Sequence, residues 1–125
     1  MLIATWNVNS VRTRLSQIIN WINQVNPDIL CLQETKVIDN DFPIKPFEEL
    51  GYKVIAFGQK SYNGVAIISK IECENITKGF SGFLGDQNDV NKFEDQKRLI
   101  TADIKGVKII NVYVPNGSSL HSEKF

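Results

Sequence analysis

The sequence has a single histidine, His121, and only two cysteines, Cys31 and Cys73, among its 125 residues. One histidine builds neither a histidine-rich metal cluster nor a Ser-His-Asp triad with a partner histidine elsewhere. Two cysteines this far apart suit neither a disulfide-dense secreted module nor a four-ligand zinc site, which favours a reducing compartment. Charge of one sign is also lacking. Lysine plus arginine number 14 and aspartate plus glutamate 14, so bulk charge offers no argument for nucleic-acid binding and any such sign must come from local residues. No run of about 18 apolar residues could span a bilayer. The opening MLIATWNVNSVRTR has neither a basic segment ahead of a long apolar run nor a small-residue cleavage pattern, so the expectation is a soluble, cytoplasmic chain with no membrane partner. Gly58 and Gly64 flank a polar loop, but no Lys-Ser or Lys-Thr follows a glycine-rich loop, which removes the usual support for nucleoside triphosphate binding. There is no internal repeat and no low-complexity tract.

What is present is core material. Hydrophobic residues make up 42% of the chain, with 7 Phe, 3 Tyr and 2 Trp, enough to offset chain entropy in one domain over residues 1–125. Leu2 to Val8 reads as a strand ending in the polar cluster Asn7-Val8-Asn9-Ser10. From Ser10, Val11, Leu15, Ile18, Ile19, Ile22 and Val25 recur at spacings of three and four, one buried helical stripe stopped by Asn26-Pro27. Asp28 to Glu34 is a compact apolar run, as expected of a strand buried on both faces and parallel to the first, giving a βαβ unit. A short helix is expected within Phe42 to Leu50, confined to its later part by Pro43 and Pro46. Tyr52 to Phe57 and Gly64 to Ser69 read as an antiparallel hairpin, and Gly79 to Gln96 as a solvated loop. Arg98 to Ile104 and Val107 to Val114 form a second hairpin around Lys105-Gly106, closed by Pro115-Asn116-Gly117. These add up to about six strands and two helices, a mixed α/β sheet. A parallel crossover needs both sheet faces covered and only one strong helix is available, so the sheet must find another layer.

Glu34 ends a strand that is otherwise apolar, at the carboxyl edge where open α/β sheets gather their ligands. A carboxylate there either holds a hard cation or forms an ion pair with Lys36 or an arginine. Asn7 holds the corresponding position on the first strand, as a neighbour of Glu34 or as an Asx-turn or capping residue. Tyr113 shares a strand face with Asn111 by the period of two, as an active-site group or an ordinary strand aromatic.

The order of these fragments carries more than any one residue. Trp6-Asn7-Val8-Asn9-Ser10 with Arg12, then Pro27 to Lys36, then Gly64-Val65-Ala66-Ile67, then Asn111 to Gly117, resembles the exonuclease III family of apurinic/apyrimidinic endonucleases over nearly the whole chain. Its most specific piece is Leu32-Gln33-Glu34-Thr35-Lys36, which separates this branch from the phosphatases and sphingomyelinases of the wider endonuclease/exonuclease/phosphatase superfamily. The resemblance implies half of a four-layer α/β sandwich, a mixed β-sheet with flanking helices, each half of the chain supplying one layer pair. It implies a DNA repair nuclease acting at abasic sites and 3′ ends of double-stranded DNA with Mg²⁺, or Mn²⁺ in its place. By the same likeness Glu34 holds the metal, Asn7 orders the metal site and Tyr113 contacts the scissile phosphate. Arg12, Lys36, Arg98 and Asn116 then meet the DNA backbone. Family members are about twice as long. Their Gly-Asp-any-Asn and Ser-Asp-His segments are not found here, and His121 lies between Leu120 and Ser122 rather than after an aspartate. The chain is therefore expected to be a carboxyl-terminally truncated domain carrying the amino-terminal half of an active site. It would be inactive alone and would have a complementary half as partner. The alternative is a non-catalytic half-domain that binds DNA or a partner.

Overall fold

A computed structural model describes residues 1–79 and 97–115. In chain order the elements are β1 (Ile3–Asn7), α1 (Leu15–Val25), β2 (Ile29–Gln33), a 3₁₀ turn (Asp39–Asp41), α2 (Ile44–Glu49), β3 (Lys53–Phe57), β4 (Val65–Ser69), β5 (Cys73–Lys78), β6 (Leu99–Ile104) and β7 (Val107–Val112). They form a four-stranded mixed sheet, β1-β2-β4-β3, and a three-stranded antiparallel sheet, β5-β6-β7. The expected βαβ unit is present, with β1 and β2 parallel and Asn7 opposite Gln33.

The strand period of two sorts the first sheet's side chains into two cores. Leu30, Leu32, Ala66 and Ile68 face the helices and pack with Ile18, Ile22 and Phe47. Ile29, Cys31, Val65 and Ile67 face the other way and pack against Ile100, Ala102, Ile104 and Ile109 of the second sheet. The missing layer is thus a second sheet, and the α/β sandwich is realised as helices, mixed sheet and antiparallel sheet. Both sheets draw their strands from this one chain, so the half does not supply a single helix-and-sheet pair. Burial between the sheets pushes the Cys31 thiol up to about 11, and Cys31 and Cys73 are both free.

Three differences from the sequence reading have local causes. The first helix begins at Leu15 rather than Ser10, because Asn9 and Ser10 adopt left-handed backbone (φ 48° and 88°) that aims the chain back over β2 before the helix can start. It ends on left-handed Asn26, whose amide bonds the Ile22 carbonyl at 2.8 Å. The short helix α2 includes Pro46 in its first turn, where the ring removes an amide that has no helical partner. A seventh strand, β5, had no alternation to reveal it. It is a mostly exposed edge strand with a register shift between Glu74 and Thr77, where Asn75 is left-handed (φ 49°). Residues 80–96, where the solvated loop was expected, lie outside the described residues, as does His121. Among the described residues no helix is long and apolar enough to cross a membrane.

The two sheets are not flush. Ile3 and Thr5 pair with Ile29 and Cys31 and share their face. Among the described residues the second sheet ends at β7 and does not cover β1, leaving an open groove of about 450 Å³ lined by Ile3, Thr5, Gln33, Ile109 and Asn111 among others.

Candidate active site

Seven non-glycine residues with positive φ crowd the carboxyl ends of β1 and β2 and the loops before β4 and β6. They are Asn9, Ser10, Glu34, Lys36, Ser61, Asn63 and Lys97. Each left-handed L-residue costs about 1–2 kcal/mol, so such a cluster persists only where surrounding bonds over-determine it, as at functional sites. Those bonds are present. Ser10 and Val11 donate to the carbonyls of Glu34 and Thr35 (2.8 and 3.1 Å), Thr35 and Lys36 donate to those of Gly64 and Asn63 (3.2 and 2.9 Å), and Gly64 donates to Lys97 (3.0 Å).

This geometry re-aims Glu34. Strand alternation would send it to the helix side with Leu30 and Leu32. Its left-handed backbone (φ 55°) instead carries the carboxylate to the second sheet, where the Tyr113 hydroxyl donates to it at 3.0 Å. Burial, then the Glu34 carboxylate, hold the Tyr113 phenol above its ordinary value, while the Arg98 charge pulls the other way. The phenol therefore keeps its proton at neutral pH. Among the described residues no lysine or arginine forms an ion pair with Glu34, so the simple strand-end ion pair is not what this residue makes.

The other expected site residues fall around this pair to different degrees. Asn7 stands one residue from Glu34 across the β1–β2 register, and its side-chain oxygen accepts the Asn9 amide at 3.2 Å, the Asx arrangement. Lys36 is also left-handed (φ 58°) and its ammonium bonds the Asn9 side chain. Arg98 has a buried Nε without a partner among the described residues, and its carbonyl accepts the Tyr113 amide at 2.8 Å. Arg12 is exposed in the turn before α1. Asn116 lies outside the described residues.

Sequence reasoning missed two residues beneath this pair. Asn111 is 2% exposed, and its amide donates to the carbonyls of Leu32 (2.9 Å) and Ala66 (2.7 Å) while its oxygen accepts from Gln33 (2.8 Å). Gln33 also donates to Thr5 at 2.8 Å. The available signal was Asn111 in an inward register among Ile109, Ile110 and Val112, since a buried amide must find partners.

Gly64 joins the Glu34 loop to the β6 side of the site. A Cβ at Gly64 would lie 2.2 Å from the Thr35 hydroxyl, and its backbone is left-handed (φ +92°). Gly64→Ala is therefore expected to destabilise the protein by about 1–3 kcal/mol, read as a lower urea midpoint at unchanged slope. An unchanged midpoint would show that Thr35 and its neighbours relax freely.

The comparisons agree with this architecture. The endonuclease/exonuclease/phosphatase family profile matches residues 4–104, and the chain belongs to that family. Within it, the chain is similar to exodeoxyribonuclease III of Haemophilus influenzae, 38% identical over 130 residues that span 100% of this chain and 46% of that protein. It is also similar to the DNA repair nuclease APEX1 of Danio rerio, 34% identical over 94% of this chain and 37% of that one. Among solved structures, the AP endonuclease from Archaeoglobus fulgidus superposes with a TM-score of 0.85 at 46% identity, covering 99% of this chain and 45% of its own. The 3′ phosphatase NExo from Neisseria, solved with a product DNA hairpin, gives 0.85 at 41% identity, covering 99% and 45%. The chain thus spans about half the length of these relatives.

Proposed function

We propose that this chain supplies part of the active site of a metal-dependent DNA repair nuclease of the exodeoxyribonuclease III type, acting on phosphodiesters at abasic sites and 3′ ends. The observation that supports this reading most is the Glu34–Tyr113 pair, 3.0 Å apart at the carboxyl edge of the sheet in a member of this family. Mg²⁺, with Mn²⁺ as a substitute, suits the donors. A small hard cation needs only one or two carboxylates and keeps several waters, and Glu34 is a carboxylate that forms no ion pair among the described residues. Among the described residues no three His, Cys, Asp or Glu converge, so the remaining ligands come from water, substrate phosphate or residues beyond those described.

In this reading Glu34 holds the cation and Asn7 orders the space beside it. When bound, the cation supplies Lewis-acid stabilisation of charge on the phosphoryl oxygens. Tyr113, held protonated by burial and by Glu34, is a hydrogen-bond donor for a phosphate oxygen, strongest where negative charge develops. Arg12, Lys36, Arg98 and Asn116 contact the DNA backbone, giving sequence-tolerant binding that weakens with salt despite zero net charge. A reducing, cytoplasmic setting suits the two free thiols. The open groove beside β1 favours a second reading, a half-domain that binds a complementary half and contributes no turnover of its own.

The test is cleavage of an abasic-site duplex by the native-length protein in Mg²⁺. Cleavage abolished by EDTA and restored by added Mg²⁺ supports the nuclease. Tight duplex binding with no cleavage under any divalent cation favours the binding half-domain.

A further inference from the structure

We propose that Asn111 is a positioning residue that sets the Tyr113 hydroxyl against Glu34 by fixing the register of one sheet on the other. Its catalytic consequence rests on the nuclease reading, whereas its geometric content does not.

The two sheets meet mostly through Ile29, Cys31, Val65 and Ile67 on one side and Ile100, Ala102, Ile104 and Ile109 on the other. Apolar packing of this kind is strong but non-directional, so by itself it sets the spacing of the sheets better than their sliding register. A hydrogen bond between Tyr113 and Glu34 needs the register fixed to a few tenths of an ångström. Asn111 supplies the missing direction. Its amide bonds two carbonyls of the first sheet, Leu32 at 2.9 Å and Ala66 at 2.7 Å, and these residues face each other across the β2–β4 pair. Its oxygen accepts Gln33 at 2.8 Å, from the residue between Leu32 and Glu34. Two donors and one acceptor at this reach fit a carboxamide, and every hydrogen of the Asn111 amide group is used.

The spacing gives the arrangement its purpose. Leu32 lies two residues before Glu34 on one chain segment, and Asn111 lies two residues before Tyr113 on the other. The Asn111–Leu32 bond and the Tyr113–Glu34 bond are therefore successive rungs between the same two segments, one period of two apart. Locking the buried rung fixes the half-exposed one. The Tyr113 amide bound to the Arg98 carbonyl at 2.8 Å keeps the β7 leg straight to its end, so displacement at Asn111 is carried to the phenol.

Asn111→Leu keeps the size and removes all three bonds. Gln33→Met leaves both carbonyl bonds of Asn111, removes the brace together with the Gln33 bonds to Thr5 and Cys31, and serves if the first variant fails to fold. Both are made in the native-length protein with fluorotyrosine at its tyrosines and studied by ¹⁹F NMR in EDTA, with single-turnover cleavage of an abasic duplex in Mg²⁺. The expected result is a moved and broadened Tyr113 resonance with that of Tyr52 in place, and kcat lowered about 10–100-fold with KM changed little. Added to Tyr113→Phe, Asn111→Leu is expected to lower kcat no further, because a residue acting through Tyr113 has nothing left to act on. An unmoved Tyr113 resonance, or losses that multiply in the double variant, would overturn the proposal. A native-length protein that cleaves no DNA would remove the nuclease reading, and the resonance would then decide the positioning role alone.

Discussion

Glu34→Ala in the native-length protein is expected to lower kcat on an abasic-site duplex by about 10²–10³-fold or more, with duplex affinity changed by less than about threefold. The asymmetry follows from where the carboxylate does its work. Backbone contacts by arginine, lysine and asparagine act on bound substrate and transition state alike, so they set affinity. In the nuclease reading, a cation held by Glu34 would supply Lewis-acid stabilisation to the phosphoryl oxygens, so losing Glu34 would fall on the chemical step. Glu34→Gln separates charge from shape. It keeps an acceptor for the Tyr113 hydroxyl, 3.0 Å away, and gives up only the negative charge. A loss for Gln as deep as that for Ala therefore assigns the effect to the charge, and partial retention assigns it to the Tyr113 contact. Single-turnover rates and fluorescence anisotropy of labelled duplex measure the two quantities separately. Equal losses of rate and affinity would make Glu34 a binding residue.

The parts of the fold legible in the sequence were those written as periodicity. The stripe from Val11 to Val25 marked α1, the unbroken apolar run at Ile29 to Leu32 marked a strand buried on both faces, and Lys105-Gly106 between two β-rich runs marked the β6–β7 hairpin. Edge strand β5 was not legible, because an edge exposed on most of its length has no buried face to impose alternation. Nor did local pattern give the partition into two sheets, which depends on which faces find each other over long separations. The site was legible in membership and illegible in geometry. Motif order pointed to Glu34, Asn7 and Tyr113, yet the residue period would have sent Glu34 to the helix side. Only a left-handed backbone held by bonds from Ser10, Val11, Thr35 and Lys36 turns it to Tyr113. Asn111 was visible as Tyr113's neighbour on one face, but its partners Leu32 and Ala66 are 79 and 45 residues away in sequence.

The 125-residue chain produced alone is expected to self-associate and to leave an abasic duplex intact, and both effects trace to the same edge of the sandwich. On β1 the inter-sheet face is open, with Ile3 44% exposed, and on the outer face of β7 Ile110 and Val112 are 56% and 42% exposed. β1 and β7 are also terminal strands of their sheets, so each has one row of backbone donors and acceptors unpaired by any described strand. Apolar surface beside unpaired strand edges is a template for association with another chain. The chain spans about 46% of the length of the exodeoxyribonuclease III it resembles. Catalysis should fail for a related reason. In the nuclease reading Glu34 would hold a cation and Tyr113 would be a donor, but no described residue stands ready to activate water, and a catalytic unit lacking one member loses most of its effect. Light scattering on the purified chain, with cleavage assayed beside it, checks both halves of this expectation. If the half-domain reading holds, adding in trans the carboxyl-terminal half of a full-length relative should convert the aggregate into a defined complex and bring back EDTA-sensitive cleavage, because covering the groove and completing the site would be one event. A monodisperse monomer that cleaves the duplex robustly in Mg²⁺ would place the whole of the chemistry, the activation of water included, on the residues of this chain.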